Sequence, residues 1–192
     1  MGQVPRTKLH LGCGHIIKEG WLNHDIAELP GVDVVHDLRI FPWPFADGQF
    51  DAVFADNVLE HLPDTMATME EIFRITKPGA KIFLGVPYWN SYEGWGDPTH
   101  ERLFSEEKFE FFDPSTSLGK KRDYYSKAKF KIQKIVFVVN PFKPLFRHAF
   151  FYRFNWRAEH PLSKAFVRFF ATYFCNMIHG LDVYLRRLDD VE

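Results

Sequence analysis

The stretch Lys8-Leu9-His10-Leu11-Gly12-Cys13-Gly14-His15 constrains this chain more than any other. Its first four residues alternate, with Leu9 and Leu11 on one face, and read as a short strand that runs straight into a glycine-cysteine-glycine turn. Gly12 and Gly14 lack a β-carbon, so the turn can take backbone angles closed to other residues and let a ligand lie against bare main chain. In an open α/β sheet such a turn sits at the carboxyl end of the first strand, where the ligand crevice forms. Two glycines also make an ordinary tight turn, so the weight falls on the rest of the chain.

Beyond the turn comes a run of strands. Trp21 to Ile26 reads as a second strand ending in a carboxylate, and Val32 to Leu38 as a third ending in His36-Asp37-Leu38. Phe41-Pro42-Trp43-Pro44-Phe45 carries two prolines and reads as a loop packed by aromatics. Phe50 to Ala55 is a fourth strand, running into Asp56-Asn57. Met66, Met69, Ile72, Phe73 and Ile75 recur at helical spacing between Asp64, a cap, and Lys77-Pro78-Gly79, a stop. Ala80 to Val86 is a fifth strand, Ser105 to Phe112 a helix, and Phe130 to Val139 a sixth strand. The pattern predicts an α/β fold: a Rossmann-like, doubly wound, mostly parallel sheet.

The irregular, aromatic stretch from Tyr88 to Phe104 is too long for a plain connection and reads as a functional loop. Beyond Asn140, clustered aromatics and cations precede a last helix from about Ser163. That helix shows polar residues only at Lys164, Arg168, Thr172 and Asn176, so its wide apolar face is expected to be buried against the sheet, a partner or a lipid interface. The expected organisation is a domain over residues 1–140 and a helical, aromatic and basic C-terminal extension over residues 141–192 packed on the same domain.

Length and charge set further bounds. The 192 residues suit one domain with a substantial core. The two cysteines, Cys13 and Cys175, give neither a disulfide framework nor zinc spacing and fit a reducing, cytoplasmic setting. The formal charge of −1 conceals a split. Up to Gly119 the chain has 19 acidic and 9 basic side chains; from Lys120 it has 6 and 15. An acidic half suits a cationic cofactor, and a basic half suits an anionic substrate, a protein partner or a membrane surface. Phenylalanine dominates the basic half, which favours peripheral membrane or protein contact through residues 120–192 over nucleic acid.

In combination these segments resemble the class I, S-adenosylmethionine-dependent methyltransferases of the type 11 kind. Leu9 to Gly14 resembles the first motif of that family, and Gly20-Trp21-Leu22-Asn23-His24-Asp25-Ile26 the acidic second-strand motif of one subgroup. Phe50 to Val53 with Val58-Leu59-Glu60-His61-Leu62 is similar to the fourth-strand motif. Lys77-Pro78-Gly79-Ala80 is similar to the lead into the fifth strand, and Asp97-Pro98-Thr99-His100-Glu101-Arg102 to a subgroup loop. The resemblance covers roughly residues 8–112. One departure stands out: Asp25 comes so soon after Gly14 that the first crossover helix must shrink to a turn around His15 to Glu19.

The resemblance implies S-adenosyl-L-methionine as cofactor and a small-molecule or saccharide acceptor, with an anionic one among the candidates. Gly12, Cys13 and Gly14 would offer backbone to the methionine portion, and Asp25 would accept from the ribose hydroxyls. Asp37 and Leu38 would meet the edge and face of adenine, and Asp56 with Asn57 would lie near the methionine portion. A carboxylate suits a diol, and acidic strand ends suit the cationic ammonium and sulfonium. Methyl transfer needs alignment and water exclusion, and a base only where the nucleophile carries a proton. His100 is the candidate base, with Asp97 to orient it or Arg102 to hold an anion; His61 reads as a packing residue. A nicotinamide site fails because Ile17 stands where a third glycine is required. A metal site from His24, Asp25, His36 and Asp37 is disfavoured because neighbours on a strand alternate in direction, so no metal is expected. The alternative to an enzyme is a methyltransferase-like interaction module docking through its basic, aromatic half.

Overall fold

Alternating apolar residues form strands where the pattern predicts, and the register between them builds one apolar layer. The computed structural model describes residues 6–140 and 155–189. Its strands are β1 (Lys8–Leu11), β2 (Leu22–Asp25), β3 (Val34–Val35), β4 (Phe50–Asp56), β5 (Thr76–Pro87), β6 (Phe130–Val139), β7 (Trp156–Ala158) and β8 (Ile178–Arg187). They form one sheet in the order β3-β2-β1-β4-β5-β8-β6-β7. The first five strands are mutually parallel, and β8 runs antiparallel between β5 and β6. Leu9 pairs with Val53, Val53 with Ile82 and Ile82 with Leu185. Side chains two apart share a face, so this row and the one through Leu11, Ala55, Leu84 and Val183 make a continuous buried layer.

The helices are α1 (Thr65–Ile75), the short α2 (Tyr92–Gly96), α3 (Glu106–Glu110), α4 (Ser117–Lys121) and α5 (Pro161–Tyr173); α1, α3 and α5 add to that layer through Met69, Ile72 and Ile75, through Phe109, and through Val167 and Ala171. Asp64 caps α1 as expected, accepting from the Ala67 N–H at 3.0 Å. Among the described residues no helix joins β1 to β2, β2 to β3 or β3 to β4. The other sheet face therefore carries an aromatic row, a buried His10 followed by the half-exposed Phe54, Phe83 and Tyr184, crossed by Lys18 over Phe54 at 4.0 Å.

Three expectations do not hold. The third strand shrinks to two residues because the Asp33 carboxylate takes the Asn23 N–H at 2.8 Å, where a strand would use its backbone. The apolar run after Asn176 is not helix but β8, a central strand, so the late segment completes the sheet. The wide apolar face of α5 is not buried against the sheet: Leu162, Phe166, Phe169 and Tyr173 are exposed. Its polar stripe turns inward instead, since Lys164 and Arg168 pair with Glu106 at 2.9 and 2.6 Å and lie over the Phe137 ring. The aromatic and basic cluster from 141 to 154 lies outside the described residues.

Candidate functional site

The carboxyl ends of β1, β2 and β4 surround a cavity of about 580 Å³, within the range of small-molecule and cofactor sites. Gly12, Asp25, Asp37, Leu38 and Asn57, five of the residues expected at the cofactor, line it. The turn begins at Gly12 (φ +59°) and ends at Gly14 (φ +50°). A β-carbon at Gly12 would stand 2.4 Å from Val58 Cγ2, so that glycine is required by packing against the segment after β4. At Gly14 there is open space, and only the left-handed backbone demands glycine.

Asp25, at the end of β2, is buried on this wall and held on both sides. The Gly14 N–H donates to Oδ2 at 2.7 Å, and the Ala27 N–H to Oδ1 at 3.0 Å. Each oxygen keeps a second lone pair for a donor in the cavity. Beside it, Ile26 is exposed at the cavity edge and Leu38 is buried in the wall, an apolar pair suited to a flat ring. Asp37 is chelated by Arg39, whose Nε and Nη2 donate at 2.9 and 2.7 Å; that guanidinium holds its carboxyl below the usual range. His24 also lines the cavity, where burial pushes its imidazole down to about 4; its Nε2–H donates to the His36 carbonyl and its Nδ1 has no partner. A bound nucleoside with two hydroxyls and a heteroaromatic face fits these acceptors and these walls.

Two expected contributors face elsewhere. The Cys13 N–H donates to the His24 carbonyl at 2.9 Å and the Gly14 N–H to Asp25, while the Cys13 carbonyl accepts from the Ile16 N–H at 2.8 Å, so these turn groups are spent within the chain. The Cys13 side chain is in the core, where burial pushes the thiol up. Asp56 pairs in register with Gly85 and Asp182 on the aromatic sheet face, with its carboxylate against Gly85. Strand alternation sends it away from the cavity and leaves Asn57, at φ +54°, to line it.

A second cavity of about 390 Å³ adjoins the first and shares Asn57, His61 and Pro98 with it. His100 lines it, as do Glu60, Tyr92, Glu93 and Asp97. Three carboxyl groups and two imidazoles stand in this lining, with no lysine or arginine. His61 sits in a 3-10 turn, Leu59–His61, not a full helix. The loop is pinned to that turn: Glu101 and Arg102 N–H groups donate to the Glu60 carbonyl at 2.7 and 3.1 Å. Arg102 does not reach either cavity, because its Nε donates to the Pro63 carbonyl at 2.7 Å.

Nor does Asp97 orient His100. Its Oδ1 accepts from Thr99 Oγ1 at 2.6 Å, and Thr99 Oγ1 in turn accepts from His61 Nδ1 at 3.0 Å. His100 instead donates from Nδ1 to the Gly94 carbonyl at 3.2 Å and meets His61 edge to face at 4.7 Å. In the neutral tautomer that these bonds select, each ring carries its proton on Nδ1 and turns Nε2 into an acceptor. Glu60 was legible only as part of a motif. It is fully buried, neither carboxylate oxygen has a partner, and burial with help from Asp56, Asp97 and Glu93 pushes its carboxyl up to about 8.

Comparison with known proteins agrees with this architecture. Residues 9–84 match the family described as a methyltransferase domain. An uncharacterized methyltransferase of Mycobacterium sp. (strain KMS) is 41% identical over 46 residues, 24% of this chain and 18% of that protein. A demethylmenaquinone methyltransferase of Listeria welshimeri is 27% identical over 95 residues, 44% of this chain and 40% of that protein. The chain thus covers less than half the length of these curated relatives. Among solved structures, a SAM-dependent methyltransferase from Archaeoglobus fulgidus has a TM-score of 0.59 at 15% identity, covering 94% of this chain and 86% of that one. Phosphoethanolamine N-methyltransferase 2 of Haemonchus contortus, solved with S-adenosyl-L-methionine, has a TM-score of 0.51 at 16% identity, covering 94% and 48%. These structures share the fold. Residues 9–84, which carry the glycine turn and the acidic strand ends, are thus similar to a methyltransferase domain, within a fold shared with SAM-dependent methyltransferases.

Proposed function

We propose that the chain transfers a methyl group from S-adenosyl-L-methionine to an uncharged small-molecule acceptor bearing hydroxyl groups, a saccharide among them. The observation that carries this reading is the buried Asp25 carboxylate, braced by the glycine turn on the wall of one cavity that opens into a second. Asp25 holds the ribose diol, Ile26 and Leu38 sandwich the base, and the Asp37 carboxylate fixed by Arg39 accepts at its edge. Gly12 and Asn57, both in the cavity lining, face the methionine portion. The cofactor, when bound, supplies a methyl carbon already activated by a sulfonium.

The chain's own residues then position the acceptor. The second cavity holds it against Asn57, His61 and Pro98, the residues common to both chambers. Its carboxyl-rich lining disfavours the anionic acceptor considered from sequence and suits hydroxyl donors. The hydroxyl proton meets the lone pair of His100 Nε2, whose other nitrogen is committed to Gly94.

Isothermal titration tests the cofactor assignment. S-adenosylmethionine should bind in the micromolar range, and Asp25→Ala should weaken it by roughly 10–100-fold, the loss of charge-assisted hydrogen bonds. An affinity unchanged in Asp25→Ala, with the variant folded by circular dichroism, overturns it.

The exposed face of α5 supports a second reading, contact with an anionic membrane surface. Leu162, Phe166, Phe169 and Tyr173 project outward and Phe174 stands at its end. The chain should pellet with phosphatidylglycerol vesicles at low salt, and Phe166→Ser/Phe169→Ser should halve the bound fraction or more. Wild-type chain left in the supernatant removes the idea. Among the described residues no helix is long and apolar enough to cross a membrane.

A further inference from the structure

We propose that Glu60, His61 and His100 form a divalent transition-metal site at the junction of the two cavities. The inference rests on the methyltransferase reading and specifies how its acceptor is held. One ligand atom from each of the three residues lies within 4.8 Å of the others. A cation holding N and O ligands at about 2.1 Å sets them about 3.0–3.4 Å apart, so small side-chain rotations close the cluster. Two imidazoles and one carboxylate are a set that favours zinc, iron, cobalt or manganese over magnesium, and three protein ligands leave positions open for an exchangeable oxygen.

Three independent features point to a cation. Glu60 is fully buried in the cavity lining, yet both its oxygens lack a hydrogen-bond partner. Such orphaned acceptors are rare in folded proteins and ask for an occupant. Each imidazole is then tied back through Nδ1, His100 to the Gly94 carbonyl and His61 to Thr99 and thence to Asp97. That is the outer hydrogen bonding that orients metal-ligating histidines and leaves Nε2 bare. Finally, Asp97 stands in the same lining without a lysine or arginine, beside Glu93, whose carboxylate meets His179 at 2.7 Å, so the chamber favours positive charge.

The position explains a purpose. His61 lines both cavities, so a cation there would face an acceptor oxygen beside the methyl donor. A hydroxyl drawn to an open position ionises more readily, as metal-bound water does. Its proton leaves to solvent, the oxygen pair forms the C–O bond, and the C–S bond breaks with its electrons on sulfur. With the cation bound, His100 Nε2 serves as a ligand in place of meeting the hydroxyl proton, and no protein base is needed. The acceptor class this selects is one offering a hydroxyl, or a pair of adjacent oxygens, to the metal.

Cobalt(II) titrated into chelator-treated chain provides the test. One equivalent should bind, with visible d–d absorption and micromolar affinity. His61→Ala and His100→Ala should each weaken binding more than 10-fold, and Asp97→Ala, which touches only the outer hydrogen bonds, by roughly 10-fold. Glu60→Gln should do the same as the histidine variants, and the variants on the loop serve if that one misfolds. Calorimetry with zinc should give the same order. Binding weaker than millimolar, or equal in wild type and both histidine variants, overturns the site. Titration of S-adenosylmethionine into the same metal-free protein reports separately on the methyltransferase reading.

Discussion

The backbone N–H of Gly14 donates to Oδ2 of Asp25 at 2.7 Å, joining the turn after β1 to the carboxylate that ends β2. The glycine turn and the acidic strand end are therefore one unit, and only about ten residues of chain lie between them because no crossover helix intervenes. The compressed connection places the turn's last amide on the carboxylate, where a longer crossover would leave room for a helix end.

The two glycines of that unit should respond differently to alanine. Gly14→Ala meets only the left-handed backbone and should cost about 1–2 kcal/mol. Gly12→Ala adds a collision with Val58 and should cost about 2–4 kcal/mol. Urea unfolding of Gly12→Ala, Val58→Ala and the double variant should show a compensating coupling. Additive costs would mean Val58 is not the obstacle.

His24 makes stability pH-dependent. Its folded value of about 4, set by burial, lies below the ordinary 6.5. The unfolded chain then binds a proton that the folded chain refuses as pH falls from about 6.5 to 4. Stability from this residue is complete above 6.5 and declines by about 3 kcal/mol toward pH 4. His24→Gln, which keeps a donor for the His36 carbonyl, should lose about 2–3 kcal/mol less than wild type between pH 7 and 4.5 in urea titrations. Parallel curves for the two proteins would assign the acid lability elsewhere.

Glu106 anchors α5. It is nearly buried and carries both Lys164 and Arg168. Glu106→Ala leaves two cations beside Phe137 without a counterion and should cost roughly 2 kcal/mol, less than for a fully buried pair because Arg168 is half exposed. Hydrogen exchange should show α5 amides deprotected first. Loss spread evenly over the sheet would refute this anchoring.

How much was legible in the sequence varied with the range of the interaction. Strands β1, β4, β5 and β6 and helix α1 arise from local alternation, spacing and the Asp64 cap, signals carried by neighbours in the chain. Asp25, Leu38 and Asn57 were legible as cavity residues because the end of a strand in a parallel sheet is a place the pattern itself defines. The directions of Asp56 and Cys13 were not, since alternation decides them one residue at a time and a single step reverses the face.

The sequence by itself determined the parallel sheet, the glycine turn and the acidic strand ends, because each is written in residues a few positions apart. Tertiary structure alone decided that α5 turns its cations inward, since Glu106 lies some sixty residues upstream of them, that β8 enters the sheet, and that Glu60, His61 and His100 meet. Burial and charge pairing are properties of what surrounds a side chain after folding, and no local pattern of residues contains them.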